Sequence, residues 1–351
     1  MKKHLIPFTI FIIIFSIFII IFSIAVPSFA QENATQKSCL ECHKKTNAKT
    51  FIHEPSKESC KNCHLPTGKK HPNEDEEGFK LVEQVPQLCY TCHDPVNTKK
   101  NLHSPVKSGS CLDCHDVHSS KEKKLVSLAP PDLCFFCHGN LEKKLDTAKS
   151  IHQVIKNGPA CLNCHSPHQS NQPGLLVKAE KDLCLQCHNK PITKDQRVIP
   201  SLKNELDKNK FIHGAIVKNG CSGCHDPHAA DQNSLLKGSF TTSQYVSGKS
   251  KDNFSLCFQC HNPALLENKI TEATGFRNGD KNLHFKHVNK AKGRSCVLCH
   301  GIHSAPNEFL LVDRVKYGNW DMPLKFSKTE TGGKCITACH APKTYSRDTL
   351  K

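Results

Sequence analysis

The chain has few of the residues from which proteins ordinarily build an interior. Its 351 residues include one Trp, four Tyr and two Met. Much of its apolar content is concentrated in a leader at the N-terminus, and no later run is long enough to span a bilayer. A composition rich in Lys, Asn and Ser cannot bury a conventional core along its whole length. That excludes the two ordinary globular domains that length alone suggests. The chain also lacks any aromatic–basic pattern of the nucleic-acid-binding kind, so its formal charge of +16 needs another explanation.

Cysteine and histidine are abundant instead, with 22 of the first and 23 of the second. Every cysteine belongs to a Cys-x-x-Cys-His motif or a close variant. The first five regular motifs are Cys39 and Cys42 with His43, Cys60 and Cys63 with His64, Cys89 and Cys92 with His93, Cys111 and Cys114 with His115, and Cys134 and Cys137 with His138. The next five are Cys161 and Cys164 with His165, Cys184 and Cys187 with His188, Cys221 and Cys224 with His225, Cys257 and Cys260 with His261, and Cys296 and Cys299 with His300. An eleventh, Cys335 and Cys339 with His340, has one extra residue between its cysteines. No cysteine is left over for a separate disulfide or a thiol nucleophile.

This spacing suits covalent haem attachment. Two thiols add across the two vinyl groups of one porphyrin, and the following His lies under the iron as an axial ligand. Zinc sites and redox disulfides also use closely spaced cysteines, but neither calls for a His after every second Cys. For the irregular motif, a disulfide between Cys335 and Cys339 is the alternative to an eleventh haem. Gly332 and Gly333 are expected to give its backbone the freedom to turn.

Histidine supplies a matching count. Apart from the motif residues and His4, there remain His53, His71, His103, His118, His152, His168, His213, His228, His284, His287 and His303. That is one candidate distal ligand for each motif. Methionine cannot compete, because Met1 is the initiator and only Met322 remains. Bis-histidine ligation follows, with lower potentials than His/Met ligation gives. Haem propionates then account for the basic composition, since each oxidised haem carries a net negative charge that the lysines offset.

The motifs fall into repeats. Cys39–His43 stands alone and reads as the second half of a repeat without its first half. Five pairs follow, each with a His upstream of its first motif, another downstream, and a short Leu/Val run before its second motif. The downstream His follows three residues after the motif in four repeats, as His118, His168, His228 and His303; in the first, His71 lies seven after His64. Residues three apart share a helical face, so such a His is expected to serve a neighbouring haem and not its own. In the fifth repeat His287 has the upstream spacing, but Asn282-Leu283-His284 matches Asn101-Leu102-His103, and the choice stays open.

The expected fold is mostly irregular with short α-helices, an extended array of dihaem repeats cored by haem. Residues 1–30 read as a signal peptide: a basic start, the apolar run Leu5 to Val26, a break at Pro27, and small residues at Ser28 and Ala30. An uncleaved anchor is the alternative. Polar connectors at 189–210 and 262–282 suggest lobes of 31–190 and 191–351, with one continuous haem array as the alternative. Residues 71–78 read as a solvated acidic run. The segment Phe309 to Phe326 has ordinary composition and reads as a strand packing on the last haem.

These residues resemble the doubled-motif multihaem cytochromes c. The lone Ser38-Cys39 opening, running through His43 to Lys45, is similar to that of periplasmic decahaem subunits of outer-membrane porin–cytochrome conduits. The resemblance implies electron transfer and not catalysis, with the iron axial positions filled by histidines. It implies a quinol dehydrogenase or small cytochrome as donor. An outer-membrane cytochrome or porin–cytochrome complex would be the acceptor, and the location periplasmic. A multihaem reductase of a nitrogen or sulfur oxyanion, with one open haem, is a second reading. A subunit of an extracellular cytochrome filament is a third.

Overall fold

A computed structural model describes residues 39–72, 77–194, 197–246 and 252–348. The leader and residues 73–76 of the acidic run lie outside the described residues. Among those described, no helix is long and apolar enough to cross a membrane. The chain divides into two compact units. One comprises residues up to Gln84 with Asp116–Val126; the other comprises Val85–His115 and Ser127–Lys351. The connector at 189–210 falls within the second.

Regular structure is sparse and short, as the composition predicts. Each regular motif sits on a single helical turn, for example Cys60–Asn62, Cys111–Asp113, Cys221–Gly223 and Cys296–Leu298. The turn closes when the His N–H donates to the carbonyl of the first Cys, at 3.0 Å for His115, His165 and His300. This brings both thiols to one edge and starts the His on its way out of the turn.

The chain after each first motif follows a shared path from the second repeat onward. A two-residue left-handed turn comes next, at Lys124-Leu125, Gly174-Leu175, Ser234-Leu235 and Phe309-Leu310, all with φ between 55° and 63°. The Leu/Val run then returns antiparallel to the motif. Val177 donates to the Cys164 carbonyl at 2.9 Å and Val312 to that of Cys299 at 3.0 Å. Isolated bridges join His165 to Leu176, His225 to Leu236 and His300 to Leu311.

Two-residue antiparallel ladders connect successive repeats. In the first compact unit, Phe51–Ile52 pairs with Ser119–Ser120. In the second, Asn101–Leu102 pairs with Gln169–Ser170, Ser150–Ile151 with Ala229–Ala230, and Phe211–Ile212 with Ser304–Ala305. Ser119, Ser120, Ser170, Ser304 and Ala230 of these strands are buried, and Ala229 and Ala305 are fully so. Their small side chains let the two segments approach.

Ordinary hydrophobic clusters occur near the C-terminal end of the second unit. Val246, Phe254, Leu266 and Val288 form one, packed on Cys257 and Cys296. Leu298, Val315, Met322 and Leu324 form the other, packed on Cys299. The second draws on a four-stranded antiparallel sheet of Arg314–Tyr317, Trp320–Lys328, Gly332–Thr337 and His340–Ser346. The strand expected between Phe309 and Phe326 is therefore present. Gly332 and Gly333 do not make the turn: they lie inside a strand. A side chain at Gly332 would strike the Tyr345 carbonyl, and one at Gly333 the Phe326 ring, so close sheet packing selects them.

The left-handed turns give a stability test. Nothing lies near the Cβ position of Gly174, whose φ is +63°. Gly174→Ala should therefore cost about 1 kcal/mol through backbone conformation alone, and Gly174→Val should cost more. Denaturant unfolding of the native protein measures both, and a neutral Gly174→Ala would refute the strain.

Candidate functional site

The ladders place histidines. Each upstream His follows its strand directly, and its N–H donates to the carbonyl of a downstream His: His53 to His118 at 2.8 Å, His103 to His168 at 2.9 Å, His152 to His228 at 3.0 Å and His213 to His303 at 2.8 Å. The upstream ring is oriented by the residue just before that downstream His. Nδ1 meets the carbonyl of Val117 from His53, Pro167 from His103 and Pro227 from His152, at 2.9 to 3.0 Å. A carbonyl can only accept, so the proton lies on Nδ1 and Nε2 keeps its lone pair.

The motif histidines are oriented in the same manner. Nδ1 of His165, His225 and His300 donates to the carbonyls of Gly174, Ser234 and Phe309, each at 2.8 Å. Those carbonyls belong to the first residue of the left-handed turn, which aims them inward. Strain in the turn thereby fixes the tautomer of the motif His.

Motif and non-motif histidines then face one another in pairs. Downstream histidines face first motifs of the preceding repeat: His118 faces His64, His168 faces His115, His228 faces His165 and His303 faces His225. Upstream histidines face second motifs of their own repeat: His103 faces His138, His152 faces His188 and His213 faces His261. His71 faces His43, His284 faces His300 and His287 faces His340. Ring centroids are 5.9 to 6.5 Å apart, and interplanar angles are 11° to 25° except for 47° at His287–His340. His53 belongs to the first compact unit and His93 to the second; by position they correspond to His103 and His138.

This spacing fits one metal ion between two imidazoles. Two metal–nitrogen distances of about 2.0 Å and two ring half-widths of about 1.1 Å give about 6.2 Å. Two thiols of a motif adjoin each motif His in sequence, as a covalent porphyrin needs. Among the described residues, no group of three or more His, Cys, Asp or Glu converges on one point as a zinc site would.

The second cysteines divide into two sets. Those of first motifs, Cys63, Cys114, Cys164, Cys224 and Cys299, are half-buried. Those of second motifs, Cys92, Cys137, Cys187, Cys260 and Cys339, are exposed, and so is Cys42 of the lone motif. The sequence treats all of them as equivalent anchors, and it gives no sign of this difference. The turns that carry the earliest three are nonetheless formed. Cys63 donates to the Cys60 carbonyl and Cys92 to that of Cys89, both at 3.2 Å, and His43 donates to the Cys39 carbonyl at 2.8 Å. Each can therefore present its thiol beside that of its partner cysteine.

One reading needs correction and another is divided. The downstream His does reach a neighbouring repeat, but not through a shared helical face: the chain from His165 to His168 is bridge and bend, and His168 is delivered by the ladder. The lone motif shares the exposure of second motifs at Cys42, as its reading as a second half expects. Its partner is that of a first motif, because His71 faces His43 as His118 faces His64. A glycine at 78 allows His71 to approach, since a Cβ there would sit 2.7 Å from that of His71.

The irregular motif is mounted differently. Cys335 lies in a strand and His340 begins the next, with Thr337 paired to His340 across the turn. Its Nδ1 donates to the Ala341 carbonyl at 2.7 Å. Cys339 meets the Met322 sulfur at 3.5 Å.

Thiols of consecutive motifs are neighbours within the second unit. Burial raises Cys134 to about 11, with Cys161 beside it adding to the shift. Cys184 is raised first by its hydrogen bond with Cys221. Burial raises Cys114, Cys164, Cys224 and Cys257, with further contributions from Cys137, Cys187, Cys260 and Cys224 respectively. It raises Cys299 too, with Cys335 and Cys339 adding to the shift. Burial likewise carries Cys296 to about 12, with Cys257 next. From Cys111 to His340 the motifs thus follow one another in space in chain order. In the first unit, Cys60 is raised by burial and then by Cys39, so the lone motif and the first repeat are neighbours as well. Cys42 and Cys63 belong to that unit and Cys92 to the other. The backbone acceptors and the pairing rule were not visible in residue types; the Val, Pro, Pro and Ile before His118, His168, His228 and His303 were the available signal.

Comparison with protein families gives one match. The doubled CXXCH motif model covers residues 53–98, 103–143, 152–193 and 213–265. No curated protein matches the chain.

Burial lowers several histidines. His284 falls to about 4, first by burial and then through His300 and His287. His118, His188, His213, His225, His228, His287 and His300 are also lowered, each chiefly by burial. The folded chain therefore binds fewer protons than the unfolded chain, whose histidines titrate near about 6.5. Stability is fully present above that pH and is lost as the pH falls below it. Thermal unfolding between about pH 7.5 and about pH 4.5 should show a falling midpoint; a midpoint that rises would contradict this.

Proposed function

The chain belongs to the doubled CXXCH motif family of multihaem cytochromes c, and from that premise we propose an exported electron-transfer protein carrying about eleven bis-histidine c-type haems. The facing histidine pairs carry the reading. Haem c supplies a one-electron couple at its iron. The protein's own residues do the rest. The cysteines anchor the porphyrins by thioether bonds, from Cys39 with Cys42, Cys60 with Cys63 and Cys89 with Cys92 through to Cys335 with Cys339. The motif histidines serve as proximal ligands. His53, His71, His103, His118, His152, His168, His213, His228, His284, His287 and His303 close the distal sides.

With both axial positions filled, no iron has room for a substrate, so the protein is a conductor and not an enzyme. Carbonyl acceptors at Nδ1 make the imidazoles better donors and favour the ferric state, which lowers potential. The chain order of neighbouring thiols supports a one-dimensional electron path. The leader directs the protein to the periplasm. A quinol dehydrogenase or small cytochrome is the donor in this reading, and an outer-membrane cytochrome or porin–cytochrome complex the acceptor.

Magnetic and optical spectra of the native protein test the proposal. All haems should be low-spin in both oxidation states, and carbon monoxide should leave the reduced spectrum unchanged. A high-spin haem that binds carbon monoxide would indicate an open catalytic site instead.

The pairing rule gives a sharper outcome. His168→Ala should open the haem on Cys111 and Cys114 while leaving that on Cys161 and Cys164 closed. One carbon monoxide should bind per chain, and replacing Cys111 and Cys114 as well should abolish it. Binding that survives this replacement would show that His168 serves another haem.

A further inference from the structure

Repeats one to four close their first-motif site with a histidine from the repeat that follows. In the fifth, the ladder that would deliver such a histidine is absent among the described residues. The short helix Leu283–Val288 stands in its place. It sets His284 against His300 and His287 against His340, with centroids 6.5 Å apart in both pairs.

The helix is held for this task. Asn282, only 2% exposed, caps it by accepting from the Phe285 N–H at 3.2 Å. The Asn282 amide donates to the carbonyls of Leu265 at 3.1 Å and Asn268 at 2.8 Å, which ties the cap to the preceding helix Ala264–Glu267. Phe276 packs edge-on to His284 at 5.1 Å and lies 5.5 Å from His287. His287 Nδ1 donates to the Leu283 carbonyl at 2.6 Å, whereas His284 Nδ1 meets the Thr274 hydroxyl at 3.2 Å. Residues three apart share a helical face, so one turn serves two adjacent sites.

We propose that His284 is a terminating ligand: it closes the first-motif haem of the last repeat from within that repeat, so the array needs no histidine from a second chain. His287 is then the equivalent of His103, His152 and His213, despite the Asn-Leu-His likeness of His284 to His103. The inference rests on the haem reading above.

The test uses the native full chain. His284→Ala and His287→Ala are each made in the wild-type background and in a background carrying both Cys335→Ser and Cys339→Ser, which lacks the last haem. In the wild-type background each variant should keep its haem mass and bind one carbon monoxide per chain, with imidazole restoring the low-spin spectrum. In the second background His284→Ala should still open one haem and His287→Ala none. The reverse result, or a silent His284→Ala, would overturn the assignment. If either alanine variant fails to fold, His284→Met decides: one centre should move to higher potential while all stay low-spin, and an unchanged titration would overturn the proposal. Failure of the haem reading is distinct, because the parent protein would then lack the expected haem mass.

Discussion

The structure depends on holding two imidazoles face to face, about six ångströms apart, with the correct nitrogen of each directed inward. Side-chain packing cannot supply that precision in a chain with so small a core. Backbone carbonyls supply it instead. Pro167 holds His103 from one side of a ladder and Gly174 holds His165 from a left-handed turn. In both, a group that can only accept forces the proton onto Nδ1.

The same constraint explains why the repeats cannot stand alone. A ladder of two residues per strand is too short for independent stability. It becomes useful because it delivers two histidines side by side, such as His103 and His168, to the two sites of one repeat. In the proposed reading, ligation across the ladder would return stability to the backbone, since groups that bind only the folded state stabilise it. The C-terminal end is the exception. There Phe254 and Met322 anchor ordinary clusters, a helix replaces the ladder, and a sheet carries the last motif.

Much of this was legible in the residues. The matched supply of cysteines and histidines pointed to paired histidines, and the shortage of Trp, Tyr and Met pointed to an irregular fold. The strand before the last motif was legible from its composition. What stayed hidden was pairing. Spacing favoured His287 as the upstream equivalent and the Asn-Leu-His likeness favoured His284; only the helix that carries both separates them. The partner of the lone motif was hidden because His71 is displaced by a hairpin of His64–Pro66 with Phe79–Leu81. The contrast between half-buried Cys63 and exposed Cys42 and Cys92 was hidden too, because identical spacing says nothing of what covers a thiol. Gly332 and Gly333 were read as turn residues because their conformational freedom is visible in sequence, whereas the Tyr345 carbonyl that excludes a side chain is not.

The central claim is that every cysteine pair anchors a porphyrin between two histidines. Intact mass of the native protein tests it most directly. The account predicts the polypeptide mass plus eleven covalent haems. A mass of ten haems with Cys335 and Cys339 oxidised to a disulfide, or one fitting bound zinc, would contradict it.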